Sequence, residues 1–331
     1  MSLTPSAQLI GTLFQEDTLE QKPIRDGYGA GLVGAGQADP NVVALCADLT
    51  ESTRSEAFAT AFPDRFFECG VAEQNMACVA AGLAVGGKIP FIASYAAFSP
   101  GRNWEQIRTT IAYNDANVKI MGHHAGISVG PDGATHQMTE DIALMRAMPN
   151  MTVIVPCDAL EAQKAVRAAA QAMGPWYIRF GREKSPAFTT PLTPFIPGKA
   201  QIFWESPKPQ VALIACGTLV YACLLAARLL EREGIASMVV NCHTVKPLDD
   251  KKIADIMRKC GAAVTAEEHQ VIGGLGGAIA ECAARACPIP IEFAGMQGSF
   301  GESGTPAELM AKYGMDAASA VRAAKKALSR K

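Results

Sequence analysis

The sequence predicts an α/β protein of two domains, each a mostly parallel sheet covered by helices. Its 331 residues exceed one domain of about 150 residues. Short apolar segments typical of buried strands alternate with longer helix-like segments. Five prolines then interrupt the pattern within residues 187–209. We therefore predict an N-terminal extension (1–22), a first domain (23–186), a linker (187–209) and a second domain (210–331).

Six short apolar segments predict the strands of the first domain. They are Val42–Cys46, Phe66–Cys69, Pro90–Ser94, Val118–Gly122, Thr152–Val155 and Trp176–Phe180. Two helix starts lie between them, because Thr53–Glu56 fits a capping box and Asp158–Glu161 fits its aspartate variant. The second box predicts a helix over Ala159–Met173. Strands that alternate with helices in this way form a parallel sheet with helices on both faces.

The second domain repeats the α/β pattern in a shorter form. Its predicted strands are Val211–Ala215, Ser237–Asn241, Ala263–Ala266 and Ile291–Phe293. Helices are predicted over Leu219–Gly234 and Asp249–Lys259. Thr305–Glu308 combines a capping box with proline at the first helical position, which predicts a further helix start. We interpret His269 and the glycines of 273–277 as structural.

Composition excludes several classes of function. Thirty basic and 32 acidic residues give a net charge of −2, which argues against binding to nucleic acid or to an anionic membrane. No apolar run approaches the roughly 18 residues of a spanning helix, and residues 1–22 lack the pattern of a secretory signal. Ten cysteines without a C-x-x-C pair indicate reduced thiols rather than zinc or disulfides. We expect a cytoplasmic protein.

The low charged fraction bears on assembly. Charged residues make up 19% of the chain, against about 25% in an average soluble protein. Assemblies bury additional apolar surface between their subunits. The composition therefore indicates that partner subunits cover part of this surface.

Gly29–Gly34 matches the dinucleotide pattern G-x-G-x-x-G, and Asp48 follows a little under 20 residues later. A dinucleotide site also requires an apolar strand directly before the glycines. Here Pro23–Asp26 precedes them instead. We interpret these glycines as small residues that allow two helices to pack closely.

Three of the five histidines, His123, His124 and His136, lie within 14 positions and flank the loop Gly130–Gly133. The loop follows a predicted strand, and parallel sheets bind ligands beyond the carboxyl ends of their strands. Since neighbouring strand residues point to opposite faces, only one of His123 and His124 can share a site with His136. Cysteines or carboxylates at metal-ligand spacing are not evident.

Glu73 lies where the second predicted strand meets a helix. On spacing alone, this position is typical of a carboxylate stabilised by the helix dipole. Tyr95 and Phe98, after the next strand, have packing in the core as their simplest interpretation.

Together these motifs resemble transketolase and its thiamine-diphosphate relatives. The matching positions, in order, are Gly70–Gln74, Tyr95, Phe98, Arg102, Gln106 and His124–Gln137. The second domain is similar to the transketolase C-terminal domain. The Gly-Asp-Gly motif that holds metal and diphosphate in N-terminal transketolase domains does not occur in the sequence. The resemblance therefore implies the C-terminal subunit of a split transketolase, which needs a separate N-terminal subunit.

The resemblance also implies a cofactor and residues that contact it. Thiamine diphosphate would act as the electron sink in transferring a two-carbon ketol unit from a ketose phosphate to an aldose phosphate. Glu73 would hydrogen-bond N1′ of the aminopyrimidine, Phe98 would stack on that ring with Tyr95 alongside, and Asp48 would lie near the cofactor. The Mg²⁺ (or Ca²⁺) would be held by the partner subunit.

Substrate contacts follow from the same resemblance. The implied contacts are His124 and His136 to substrate hydroxyls, Asp132 to the donor's C2 configuration, Arg179 or Arg182 to the phosphate, and Arg25 and Ser52 at further phosphate positions. An arginine suits this task because its fixed fork matches a phosphate. The residues alone also allow Arg25 to be an exposed charge and Ser52 to be part of a helix cap.

Other functions remain open. His124 is followed by Ala125-Gly126, where many full-length transketolases have Asp-Ser, and this resembles 1-deoxy-xylulose-5-phosphate synthases. The β subunit of 2-oxo-acid dehydrogenases shares the two-domain plan, although Asp132–Gln137 favours transketolase. A non-catalytic scaffold subunit would not need Glu73 and Phe98 beside these histidines. We expect two copies of each subunit, because family active sites lie between two kinds of domain.

Overall fold

The computed structural model describes residues 3–331, which fold into two α/β domains. The strands are β1 (Gln21–Pro23), β2 (Val42–Cys46), β3 (Phe66–Glu68), β4 (Ile89–Tyr95), β5 (Lys119–His123), β6 (Thr152–Ile154), β7 (Trp176–Arg179), β8 (Lys184–Pro186), β9 (Gln201–Glu205), β10 (Val211–Ala215), β11 (Ser237–Asn241), β12 (Thr244–Lys246), β13 (Ala263–Gln270) and β14 (Ile291–Met296). The helices are α1 (Ile24–Ala38), α2 (Glu56–Ala61), α3 (Glu73–Val85), α4 (Trp104–Gln106), α5 (Asp141–Arg146), α6 (Ala159–Gln171), α7 (Leu219–Arg232), α8 (Asp250–Cys260), α9 (Leu275–Ala286), α10 (Pro306–Lys312) and α11 (Ala317–Leu328). Helix α4 continues into a π-helical segment at Ile107–Ala112.

The first sheet has seven strands in the order β12-β6-β7-β5-β4-β2-β3. All are parallel to their neighbours except β12, which runs antiparallel to β6. Val42 and Ala44 pack toward α1 and α6, whereas Val43 and Leu45 pack toward α3. Helices therefore cover both faces, and the predicted parallel sheet and its six strands are confirmed.

Helices α1 and α6 approach each other closely at glycines. A Cβ at Gly27 would lie 1.9 Å from the carbonyl oxygen of Ala159, and one at Gly31 would lie 2.8 Å from Val166 Cβ. Larger residues would push the helices apart. The glycine-rich motif thus serves helix packing, as predicted, and lies inside α1 rather than after a strand.

The second sheet has five strands in the order β14-β13-β10-β11-β9. Helices α7 and α11 cover one face and α8 and α9 the other. The edge strand β9 is antiparallel to β11 and comes from residues 201–205 of the predicted linker. Leu3 also forms a bridge with Trp204, so the N-terminal segment packs on this domain.

The two domains share structure at their junction. Strand β12 belongs to the second half of the chain yet completes the first sheet beside β6. Strands β1 and β8 pair separately in a two-stranded sheet. One continuous apolar cluster joins Met76 of α3 to Ile279 of α9. This packing holds the second domain against the first.

Two predicted helix caps are confirmed and one is wrong. Asp158 accepts from the Glu161 amide at 2.9 Å, and Thr305 forms a complete capping box with Glu308. The predicted box at Thr53 does not form, because α2 begins only at Glu56. The Thr53 hydroxyl instead donates to the Leu49 carbonyl at 2.9 Å, within a tight turn.

Among residues 3–331, the helices are all too short or too polar to cross a membrane. The same residues contain no group of three or more His, Cys, Asp or Glu side chains placed to bind a metal ion.

Candidate functional site

Most candidate residues lie at the carboxyl edge of the first sheet, at or just after the ends of β2, β3, β4, β5 and β7. Arg25 lies instead in the first turn of α1. Parallel strands end at one edge, so these distant segments converge there.

Glu73 is the first residue of α3 and is only 1% exposed. Arg102 donates from Nη1 to Glu73 Oε2 at 2.7 Å, although the Arg102 side chain is 48% exposed. The Asn103 amide donates to the Glu73 carbonyl at 3.0 Å and fixes the helix start. Glu73 Oε1 is buried without a hydrogen-bond partner among the residues described. Such an unpaired buried acceptor is uncommon in proteins and marks a place for a ligand's donor.

An aromatic wall stands beside this carboxylate. The Tyr95 ring stacks on His124 with centroids 3.9 Å apart and lies 5.9 Å from Phe98. His136 meets Phe98 edge to face at 5.5 Å. The Arg102 guanidinium lies 4.8 Å from the Phe98 ring centre, which links the wall to Glu73. We call Glu73, Tyr95, Phe98, Arg102, His124 and His136 the edge cluster.

The two adjacent histidines face opposite sides, as predicted, although β5 ends at His123 and His124 lies just beyond the strand. His124 is in the edge cluster, whereas His123 stacks on Phe180 at 4.8 Å and contacts Tyr28 at 4.7 Å. Burial holds the pKa of His123 well below its usual value. His123 is therefore a neutral core residue.

His124 has a left-handed backbone with φ of 50°. Histidine is among the side chains enriched in this region, which is sparsely occupied by residues other than glycine. Burial, then the nearby Arg25 and Arg182 charges, lower the pKa of His124 to about 3. The ring is consequently neutral near pH 7.

Arg25 lies next to His124. Its Nη1 is 2.8 Å from His124 Nε2 and 2.7 Å from the Ser52 carbonyl oxygen. Because arginine only donates, Nε2 is the accepting nitrogen of His124. Burial, with Arg54 second, lowers the pKa of Arg25. Ser52 thus contributes its backbone carbonyl, and a cluster of positive charge borders the histidine.

The two arginines after β7 have different environments. Arg182 donates to the Val129 carbonyl at 3.0 Å and is 31% exposed. Arg179 is 5% exposed, pairs with Asp141 at 2.9 Å and donates to the Glu268 carbonyl at 2.7 Å. Arg182 is therefore accessible beside Arg25, whereas Arg179 is enclosed in the domain junction.

Asp48 and Asp132 are exposed, and no hydrogen bond or ion pair joins either to the edge cluster within residues 3–331. The Asp48 amide, at a φ of 61°, donates to Glu68 Oε1 at 2.7 Å. Asp132 lies between Gly130 and Gly133, which both have positive φ. Asp48 and Asp132 are therefore less closely associated with the edge cluster than the other candidate residues are.

The sequence alone did not identify two of these contacts. The sequence identified Arg102 only as a position that matches the family motif. Its pairing with Glu73 joins residues that are 29 positions apart. Glu68, which accepts from both Asp48 and the Thr50 hydroxyl, matched no motif. Neither pairing has a local signal, because both depend on which strands become neighbours.

The fold and the edge cluster define an α/β protein with a candidate ligand site at the carboxyl edge of its first sheet. The profile "Transketolase, pyrimidine binding domain" matches residues 20–187, and "Transketolase, C-terminal domain" matches residues 198–319. The chain belongs to the transketolase family.

Individual relatives support this assignment. A Methanocaldococcus jannaschii protein named "Putative transketolase C-terminal section" is 43% identical, over 89% of this chain and 93% of the relative. The 6-deoxy-6-sulfo-D-fructose transketolase subunit SqwH of a Clostridium species is 40% identical, over 96% and 98%. A solved structure described as "Split gene transketolase, inactive beta4 tetramer" is 47% identical, covers 93% of this chain and 99% of its own, and has a TM-score of 0.87.

Proposed function

We propose that this chain is the C-terminal subunit of a thiamine-diphosphate-dependent transketolase. With a separate N-terminal subunit, it transfers a two-carbon ketol unit from a ketose phosphate to an aldose phosphate. The similar proteins named as a C-terminal section and a subunit support the divided arrangement. The related structure described as an inactive tetramer of one chain supports the need for a partner. The N-terminal subunit would hold the diphosphate and Mg²⁺ (or Ca²⁺).

One observation supports the cofactor most strongly. Glu73 has one oxygen paired with Arg102 and one, Oε1, that is buried and unpaired. The same Arg102 guanidinium lies 4.8 Å from the centre of the Phe98 ring. An unpaired carboxylate oxygen and an aromatic face suit a flat heterocycle that carries polar nitrogens. The residues therefore fit the aminopyrimidine of thiamine diphosphate. When bound, this cofactor supplies an electron sink for breaking and forming the bond beside a ketose carbonyl.

We assign the cofactor contacts to Glu73, Phe98 and Tyr95. With the cofactor bound, Glu73 Oε1 would hydrogen-bond a pyrimidine nitrogen and would share a proton with that atom. Water is largely excluded from this carboxylate, which strengthens the hydrogen bond. Phe98 would stack on the pyrimidine ring. The Tyr95 ring packs against both Phe98 and His124 and so helps to hold Phe98 in place. Asp48 approaches the cofactor from the loop after β2.

The anionic end of the sugar is bound by Arg25 and Arg182. His124 Nε2 and the Ser52 carbonyl orient the Arg25 fork, and a fixed guanidinium binds phosphate oxygens in pairs. Because His124 is neutral, it orients Arg25 without adding a further charge beside it. We keep Arg179 out of this role because Asp141 and the Glu268 carbonyl already occupy its donors.

His136 and Asp132 contact the sugar hydroxyls. The Thr135 hydroxyl lies 2.9 Å from His136 Nδ1, so Nε2 is the ring atom directed to a substrate hydroxyl. His136 exchanges a proton with that hydroxyl, a role that histidine side chains commonly have in catalysis. Asp132 accepts from the donor's C2 hydroxyl.

Reconstitution with the N-terminal subunit of the same organism tests the proposal. Ketol transfer from fructose 6-phosphate is measured for wild type, Glu73→Ala and the matched control Glu105→Ala, whose carboxylate is exposed on α4. We expect Glu73→Ala to lose activity by about a hundredfold or more, and Glu105→Ala to retain it. Near-wild-type transfer by Glu73→Ala would overturn the assignment. 6-Deoxy-6-sulfofructose, run as a second donor, distinguishes a sulfonate from a phosphate substrate.

We also propose two copies of each subunit in the active assembly, because closed two-fold symmetry is the commonest arrangement of oligomers. Mass photometry of the reconstituted complex measures the stoichiometry. A mass equal to one copy of each subunit would contradict this expectation.

A further inference from the structure

Three consecutive residues at the end of β13, in the second domain, hydrogen-bond to the segment after β5 in the first domain, which comprises a loop and the start of α5. We call Glu268, His269 and Gln270 the clamp. Its contacts are the Ser128 amide to Glu268 Oε1 at 2.7 Å, the Ala143 amide to His269 Nε2 at 3.3 Å, the Gln270 amide to the Thr139 carbonyl at 2.8 Å, and Gln270 Nε2 to the Thr139 hydroxyl at 3.2 Å. The bonded residues are more than 120 positions apart in the sequence and belong to different domains.

Glu268 is the most constrained member of the clamp. It is 4% exposed, and its second oxygen lies 3.3 Å from the Thr218 hydroxyl. Arg179 donates to its carbonyl at 2.7 Å and is itself anchored by Asp141. The carboxylate therefore has a fixed position from which it accepts the Ser128 amide.

The loop is shaped to receive this carboxylate. Gly126 has a φ of 89°, and a Cβ there would lie 2.2 Å from Glu268 Oε1. Only glycine allows the backbone to pass so close to Glu268 in that conformation. Ser128 follows two residues later and donates the hydrogen bond.

The second domain also contacts the far end of this loop, through the Glu302 carbonyl. Gln137 is buried and donates to the Glu302 carbonyl at 2.9 Å and to the Ile127 carbonyl at 3.1 Å. The loop between His124 and His136 is therefore held from two sides by the second domain.

We infer that Glu268 is a positioning residue, through which the second domain sets the loop that carries His124, Asp132 and His136. Its catalytic meaning rests on the proposed function, in which Asp132 and His136 contact the substrate and His124 orients Arg25. Small displacements of a contacting group reduce rates strongly, by about a hundredfold for roughly 1 Å. Loss of the Glu268 bond would thus weaken substrate use without touching the substrate directly.

Glu268→Ala and Glu268→Gln test this inference, with Glu267→Ala as the matched control. Glu267 is also buried, and its contacts lie inside the second domain: its oxygens accept the Leu275 and Gly276 amides at the start of α9, and Oε2 lies 3.7 Å from His269 Nδ1. In the reconstituted complex, we expect Glu268→Ala to raise the KM for the ketose about tenfold or more, with unchanged affinity for thiamine diphosphate. Glu268→Gln keeps a carbonyl oxygen for Ser128 and should restore the KM.

Hydrogen exchange on the full chain gives a reading that does not depend on activity. We expect Glu268→Ala to speed exchange at residues 126–136, and Glu267→Ala to speed it around residues 275–276 instead. Unchanged exchange at 126–136 in Glu268→Ala, or equal acceleration there in Glu267→Ala, would overturn the inference. If the wild-type complex transfers no ketol unit, the proposed function fails and the exchange result alone decides the role of Glu268.

Discussion

Arg102 Nη1 lies 2.7 Å from Glu73 Oε2, and the same guanidinium lies 4.8 Å from the centre of the Phe98 ring. A nearly inaccessible carboxylate is thus paired with a cation that remains half exposed. The guanidinium touches the two side chains to which we assign the pyrimidine. Arg102 therefore stabilises the buried acid in the chain without its cofactor.

Arg102→Ala should destabilise the isolated chain by about 1–3 kcal/mol, because it leaves a buried charged acceptor without a partner. Urea unfolding measures this change. The double variant Glu73→Ala/Arg102→Ala should recover part of the loss, since no unpaired carboxylate remains. Additive effects of the two single changes would show that the pair contributes nothing to stability.

Arg182→Met and Arg179→Met should have opposite signatures. Replacing the accessible Arg182 should raise the KM for the sugar phosphate by about tenfold or more, the loss of one charge-assisted contact, with little change in melting temperature. Replacing Arg179 should lower stability by about 3–5 kcal/mol, because Asp141 would remain buried and unpaired. Steady-state kinetics and thermal melting distinguish them. A selective KM effect from Arg179→Met would reverse our assignment.

The buried His123 should make stability depend on pH. Its pKa is lowered in the folded chain, so below about pH 6.5 the unfolded chain binds more protons and folding weakens as pH falls. Glu161 has the opposite sign, since burial raises its pKa to about 7. The comparison of His123→Phe with wild type isolates the histidine.

As pH falls from about 6.5 to about 4.5, we expect the stability of His123→Phe to increase relative to that of wild type, by at most about 1.4 kcal/mol per pH unit. Urea unfolding across this range measures the difference. Phenylalanine preserves the stack on Phe180, so packing changes little with pH. A difference that stays constant with pH would show that His123 is charged in the folded chain.

Gly27→Ala should destabilise the first domain by about 1–3 kcal/mol through overpacking. The added Cβ would meet the Ala159 backbone at 1.9 Å. Gly34→Ala is the matched control in the same helix, because its nearest neighbour is the flexible end of Arg167 at 3.3 Å. Thermal melting should show a loss only for Gly27→Ala. Equal melting temperatures would mean that α1 and α6 can separate without cost.

The sequence predicted the elements better than their arrangement. Strand cores such as Val42–Cys46 were predictable because a strand buried on both faces is a continuous apolar run. Strand β9 was not predicted, because Pro197 and Pro207 indicated a linker. The five residues Gln201–Glu205, which lie between these prolines, nevertheless form an edge strand. The contribution of β12 to the first sheet has no local signal at all.

The same distinction applies to the candidate site. The prediction that His123 and His124 face opposite sides needed only their adjacency at a predicted strand, although His124 lies just beyond the end of β5. The different environments of Arg179 and Arg182 were not predictable, because Asp141 and Glu268 reach Arg179 from distant segments. Roles in cofactor and substrate binding came only from the resemblance, and they remain predictions for all of the site residues.

The central claim is that this chain provides the pyrimidine side of a cofactor site shared with another subunit. Calorimetric titration of thiamine diphosphate with Mg²⁺ into the isolated chain, and into its complex with the N-terminal subunit, tests it most directly. We predict weak or undetectable binding to the chain alone and tight binding to the complex, which Glu73→Ala weakens. Tight, stoichiometric binding to the isolated chain would contradict the account.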